Sequence, residues 1–308
     1  MEYHHTPVLV KDICSYLPAE AVRVADFTVG GGGHSFEFLK ENPDLHLFGV
    51  DRDPDAMLAA GRRLQPFEGR FELHRAPFAE TAYRLRVAEE RFDFILADLG
   101  FSSHQIDTPQ RGFSFLHEGP LDMRMDPAAG TPAANIVNGR SESELFRMIK
   151  QLGEERFAKN IAKRIVATRA KRPFKTTTEL AECVREAIPK RHFDRRINPA
   201  TKTFQALRIA VNDELRELGD FLHCAIDLLN SGGRIAIISF HSLEDRPVKR
   251  QFREWENPCR CPVDLPRCVC GRRPRIKRLH RKPIRATDRE IESNPRARSA
   301  RLRIAEKL

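Results

Sequence analysis

Four consecutive glycines at residues 30–33 stand between an apolar stretch of strand length, residues 22–27, and a segment opening His34-Ser35-Phe36 with helical periodicity. A strand that enters a helix through glycine commits the chain to a βα unit. Its turn lets a ligand approach the backbone closely, and the helix N-terminus offers free N–H groups to an acceptor. Such a turn suits a nucleotide-like ligand, but two familiar signatures are missing. A dinucleotide fingerprint needs a third glycine where Ser35 or Phe36 stands, and a phosphate-binding loop needs a lysine where His34 stands. What remains is a half-site for an adenosine ligand without a pyrophosphate, of which S-adenosylmethionine is the commonest. A purely structural turn is the alternative, because a glycine motif alone is a weak signal.

The following segments repeat the βα pattern. Residues 45–51 form a second apolar run ending in Asp51, placed to accept hydrogen bonds from ribose hydroxyls, while Asp53 before Pro54 reads as an ordinary helix cap. A short strand at 71–74, a helix at 78–90 and a strand at 92–98 ending in Asp98 complete four units and predict a parallel sheet. Ligands in such sheets bind beyond the carboxyl ends of the strands, where the glycines, Asp51, Phe78 and Asp98 would converge.

Residues 100–140 lack periodicity, which is long for a structureless connection and suggests a functional loop. A capping box at Ser141 and Glu144 then opens a helical insertion, with helices at 144–152, 154–170 and 178–188. Basic and aromatic residues at 171–175 and 190–196 suit RNA backbone and bases, with solvated loops as the alternative. A long amphipathic helix at 199–230, ended by Gly232-Gly233, leads to a strand at 234–239, a helix running to about Trp255 and a last strand at 299–305. His241 falls at the carboxyl end of the 234–239 strand; a satisfied structural histidine is the simpler reading of it. A helical insert in a mainly parallel, Rossmann-like sheet is the architecture of a class I S-adenosylmethionine-dependent methyltransferase, an α/β protein. The expected division is a first methyltransferase part at 1–108, a substrate loop and helical insertion at 109–198, and a second part with a basic cysteine-containing loop at 199–308.

Charge narrows the partner. The chain carries a net +10, and residues 246–308 hold 20 of the 53 Lys and Arg but only 7 of the 43 Asp and Glu. So local an excess reads as an electrostatic footprint for nucleic-acid phosphates. No run of 18 apolar residues and no signal-type segment is present, so no membrane partner and a cytoplasmic location are expected. Seven cysteines, four of them clustered, fit a reducing compartment better than a disulfide framework. Cys259-Arg-Cys261 and Cys268-Val-Cys270 form two C-x-C pairs that suggest a structural zinc, against free thiols as the alternative; Cys14, Cys183 and Cys224 read as core.

Several long strings occur in order: HTPVL at 5–9, GGGGHS at 30–35, DLGFSSHQID at 98–107, RGFSF at 111–115, PLDMRMD at 120–126, TFQALRIAVNDEL at 203–215 and SFHSLEDRPVK at 239–249. They resemble the RsmH (MraW) family, bacterial 16S ribosomal RNA cytosine-N4 methyltransferases. The resemblance implies S-adenosylmethionine as methyl donor and a cytosine of the decoding centre in the small ribosomal subunit as acceptor. It carries cofactor contacts onto Gly32, Gly33, His34, Asp51, Phe78, Asp98 and Gln105. Phe27 departs from it, since the family often has glycine there. A homodimer is a candidate assembly.

The exocyclic amine of cytosine is a poor nucleophile because its lone pair is delocalised into the ring. An enzyme must therefore orient the amine and accept its hydrogens, and a carboxylate accepting from N4 is a standard pairing. Asp98, Ser102 and Ser103 are the expected acceptors, and Phe101 or Phe113 the expected stacking ring for a flipped or unpaired base. The rival readings are a non-catalytic RNA-binding or assembly factor on the same fold, and an amino-methyltransferase acting on DNA or protein.

Overall fold

The apolar stretches of the first hundred residues become strands β1 (Arg23–Asp26), β2 (His46–Asp51) and β4 (Phe92–Asp98), and the alternating segment between them becomes β3 (Phe71–Arg75). With β5 (Leu229–Ser239), β6 (Ile276–Arg278) and β7 (Arg301–Lys307) they form one sheet of order β3-β2-β1-β4-β5-β7-β6. The computed structural model describes residues 7–193, 198–262, 267 and 269–308; His5, Thr6, Arg195, Arg196 and Cys268 therefore lie outside the described residues. Neighbours from β3 through β5 are parallel, while β7 runs antiparallel to β5 and β6 antiparallel to β7. This is the mainly parallel sheet of the class I methyltransferase fold. The strand order reverses at β1 and β4, which puts the glycine turn and the end of β4 at the switch point.

Both faces of the sheet are covered, which explains why its central strands are continuous apolar runs rather than alternating ones. Ala25, Ile95, Ile235 and Ile237 face a cluster with Phe27, Phe221 and Phe252; Val24, Phe94, Leu96, Ala236 and Ile238 face one with Phe38 and Leu302. Burying each large side chain contributes about 1.5–3 kcal/mol. Asp245 joins the helix Ser242–Glu256 to β7, accepting from Arg303 Nε at 2.7 Å and Nη2 at 3.0 Å.

The chain divides into two units, one of Met1–Gly100 with Leu215–Leu308 and the other of Phe101–Glu214. The second unit is helical: Glu142–Leu152, Ala158–Arg169, Thr177–Ala187 and Thr201–Asn212 share a core that includes Leu145, Ile149, Ile161, Ile165, Leu180 and Phe204.

Several expectations need correction. The single helix at 199–230 is two, Thr201–Asn212 and Glu214–Ala225, because Asp213 takes a left-handed conformation (φ 52°) that Asp tolerates and a helix does not. Gly232 and Gly233 lie inside β5, which begins at Leu229 and not at Arg234; they accommodate a register shift opposite Phe92 and Phe94. The helix from Phe78 ends at Val87, and the last strand runs Arg301–Lys307. Residues 100–140, expected as a functional loop without elements, contain the helices Ser103–Asp107 and Ala133–Gly139.

Candidate active site

β1 delivers the chain to its turn at Asp26. Gly30 (φ 51°) and Gly32 (φ 75°) are left-handed, and Gly32 caps the helix Gly33–Glu41. A side chain at Gly32 would be strained by that φ as well as pressed to 3.3 Å from Ala60 Cα, so glycine is required there. Acids then tie the turn to neighbouring strands. Gly30 N–H donates to Asp51 Oδ2 at 2.9 Å and Asp53 N–H donates to Asp51 Oδ1 at 2.9 Å. Ser35 Oγ donates to Asp26 Oδ2 at 2.7 Å, Thr28 N–H donates to Asp26 Oδ1 at 3.2 Å, and Asp98 N–H donates to Thr28 Oγ1 at 2.6 Å. Backbone N–H groups donating to side-chain oxygens thus tie Asp51 to Gly30, and Asp98 to Thr28 at the head of the turn.

His34 is buried, with Nε2 2.8 Å from the carbonyl oxygen of Val8; burial holds its pKa down at about 4, so the neutral ring donates to Val8 and anchors the preceding segment. Phe78 packs edge-on against Phe221 at 5.3 Å, and Phe221 against Phe27 at 5.0 Å. Phe27, the departure from the family pattern, therefore fills the core under Phe78 rather than the turn itself.

Acids dominate the electrostatics, with Arg52 a lesser, opposing influence on Asp51. Burial pushes Asp26 and Asp51 up to about 6. Asp98 stands well above the usual carboxylate range, first because of burial and then because Asp26 and Glu244 repel its charge. Its Oδ1 is buried and finds no hydrogen-bond partner among the described residues. Carboxylates gathered in this way are costly unless something positive faces them. The sulfonium and ammonium groups of S-adenosylmethionine match that need, so the residues present fit the donor. Asp26, Thr28 and Ser35 were not singled out from the sequence, although an acid ending a strand just before the glycines was the available signal.

The segment after β4 belongs to the second unit. Ser102 caps the helix Ser103–Asp107: its Oγ accepts from Gln105 N–H at 3.2 Å, and Ser102 N–H donates to Gln105 Oε1 at 2.9 Å. Ser103, Gln105 and Phe113 are buried, and Phe101 is exposed. Beyond them the loop is built around Arg111, whose Nη2 donates to the carbonyls of Arg124 and Met125 at 3.2 and 2.7 Å. Gly112 (φ 72°) lies so close to Pro120 that a Cβ would sit 2.2 Å from its carbonyl oxygen. Asn212 clamps the far side, accepting from Met125 N–H and donating to the Met123 carbonyl, both at 2.8 Å. His241 Nε2 lies 2.9 Å from Glu244 Oε1 at the start of the helix Ser242–Glu256.

Near the carboxyl end, the Sγ atoms of Cys259, Cys261 and Cys270 lie within 4.8 Å of one another, and Val269 N–H donates to Cys261 Sγ at 3.4 Å. Cys14 is half-buried, while Cys183 and Cys224 are buried. No helix among the described residues is long and apolar enough to cross a membrane.

A model of the MraW methylase family matches residues 2–308. The ribosomal RNA small subunit methyltransferase H of Carboxydothermus hydrogenoformans is 49% identical over 312 residues, covering 100% of this chain and 99% of its own. That of Citrifermentans bemidjiense is 47% identical over 310 residues, with 100% and 99% covered. Among solved structures, a SAM-dependent O-methyltransferase from Thermotoga maritima aligns with 100% of this chain and 68% of its own at 10% identity, with a TM-score of 0.43.

Proposed function

Because this chain belongs to the MraW methylase family, we propose that it transfers the methyl group of S-adenosylmethionine to the exocyclic N4 of a cytosine in the 16S ribosomal RNA of the small subunit. The observation that carries the reading is the unpartnered Asp98 Oδ1 among raised carboxyls beside the glycine turn. When bound, S-adenosylmethionine supplies an electrophilic methyl group on a cationic sulfur. Gly32, Gly33 and His34 shape the turn for it, the remaining lone pairs of Asp51 take the ribose hydroxyls, and Phe78 gives an apolar wall. Gln105 is the further cofactor contact that the family pattern names.

Asp98 has two tasks in this reading. Its charge favours the cation, and an oxygen with no internal partner accepts a hydrogen from the cytosine amine as the lone pair is freed for attack. Ser102 and Ser103 are the further acceptors; the cap on Ser102 uses one of its two lone pairs and leaves the other. Retention of the turn, Asp51 and Asp98 speaks against a non-catalytic factor.

The test is methyl transfer from labelled S-adenosylmethionine to small ribosomal subunits lacking the modification, with the product nucleoside identified by mass spectrometry. N4-methylcytidine is expected. Asp98→Ala should reduce turnover by at least about a hundredfold, the usual worth of a removed transition-state partner; near-normal turnover would remove Asp98 from the chemistry.

We read the C-x-C pairs as the thiolates of one structural zinc, supported by the three convergent sulfurs and the N–H donated to one of them. About one equivalent of zinc is expected in protein purified without chelator, and Cys259→Ser should lower it.

A further inference from the structure

The unit of Phe101–Glu214 displays an aromatic ring whose support is more elaborate than packing requires. Phe101 is 39% exposed, whereas its neighbour Phe113, 6.1 Å away and tilted by 31°, is 8% exposed. The guanidinium carbon of Arg208 lies 4.7 Å from the Phe101 ring centroid. Arg208 is in turn held flat: it is 8% exposed, and its Nε and Nη2 donate to the two carboxylate oxygens of Glu214 at 2.8 Å each. A bidentate pair of this kind fixes the plane of the guanidinium as well as its position. The same helix end supplies Asn212, whose Nδ2 also donates to the Arg208 carbonyl at 2.9 Å.

An exposed ring resting on a locked cation gains little for folding, since a buried leucine would contribute more. It is well made for stacking. One face is braced by a planar charge, the ring keeps open surface, and any nucleobase has a π-face to offer it. In the chain, Phe101 follows Asp98 by three residues. We infer that Phe101 is the surface on which the target base stacks, and that Arg208, locked by Glu214, is a positioning residue that sets the plane of that ring. Phe113 is the packing neighbour and not a second platform. This inference rests on the reading of the chain as a methyltransferase acting on an RNA base.

The experiment measures kcat and KM for unmodified small subunits, with S-adenosylmethionine affinity and melting temperature followed in parallel. Phe101→Leu keeps the apolar bulk and removes the π-face. It should lower kcat/KM for the subunit by about tenfold to a hundredfold, the usual worth of one stacked base, while donor affinity and melting stay as in the unaltered protein. Phe101→Trp should recover most of the loss. Arg208→Lys keeps the charge but loses the planar fork, and should cost at least about fivefold in the same ratio. In a Phe101→Leu background, Arg208→Lys should have no further effect, because Arg208 acts through the ring.

Phe101→Leu within twofold of the unaltered protein would overturn the stacking role, and equal Arg208→Lys losses in both backgrounds would overturn the positioning role. If the unaltered protein forms no N4-methylcytidine at all, it is the underlying reading that fails, a result separable from either.

Discussion

Asp26, Asp51 and Asp98 share a condition imposed by tertiary structure: burial is the first cause of the raised pKa in each. A carboxyl whose folded-state pKa is raised binds protons that the unfolded chain would release. Its contribution to stability is therefore present at low pH and is lost as the pH rises through the folded value, here about 6 for Asp26 and Asp51. A cationic ligand has the opposite preference and favours the ionised carboxylates. Affinity for S-adenosylmethionine should accordingly weaken as the pH falls from 7 to 5, by up to roughly tenfold per unit for each carboxyl that must ionise. Calorimetry in buffers of different ionisation enthalpy should show protons released on binding at pH 5.5; affinity that stays flat over this range, with no proton release, would contradict the charge-matching argument. Asp51 and Asp98 were legible in the sequence because each ends an apolar run with an acid. Their common electrostatics were not, since repulsion from Glu244, nearly 150 residues further along the chain, arises only when β4 and the start of the helix Ser242–Glu256 meet.

Elements were readable where the pattern is long and local. The parallel strands other than β3 announce themselves as apolar runs, and the caps at Asp53 and Ser141 appear as expected, with Asp53 Oδ1 accepting from Asp55 N–H at 3.0 Å and Ser141 N–H donating to Glu144 Oε2 at 2.8 Å. The order in residues 100–140 was hidden for two reasons. Its helices are too short for periodicity to show, and its anchors are distant in sequence. Asn212 is the clearest of these anchors, reaching across almost ninety residues to Met123, which holds a left-handed φ of 65°, and to Met125. Asn212→Ala would leave a buried N–H and a buried carbonyl without this partner, at a cost of about 1–3 kcal/mol for each group. Hydrogen exchange at the Met125 amide should accelerate by at least about tenfold relative to amides of β4; protection equal to that of the unaltered protein would show that other contacts hold the loop.

At the scale of the whole molecule, charge and connectivity are both unevenly distributed. Lys and Arg concentrate in residues 246–308, and Arg272 and Arg273 there are exposed. Replacing both by Gln should weaken RNA binding without regard to sequence and make the dependence of log affinity on log salt shallower by about 1–2; an unchanged slope would place the phosphate contacts elsewhere. The charge excess was visible in the sequence. The boundaries of the units at Gly100 and Leu215 were not marked by any linker composition, because the chain passes between units within the strings DLGFSSHQID and TFQALRIAVNDEL. This connectivity has a consequence for biosynthesis. β4 is translated at residues 92–98, but its partner β5 follows only at residue 229, so at 5–20 residues per second the nascent sheet keeps an open edge for roughly ten seconds. Once β5 has docked, its own outer edge stays bare until β7 at residues 301–307 leaves the ribosome. A message truncated shortly before that point would yield a chain with nearly all its core and a naked β-edge, a product for the quality-control machinery to intercept before it pairs with another like itself.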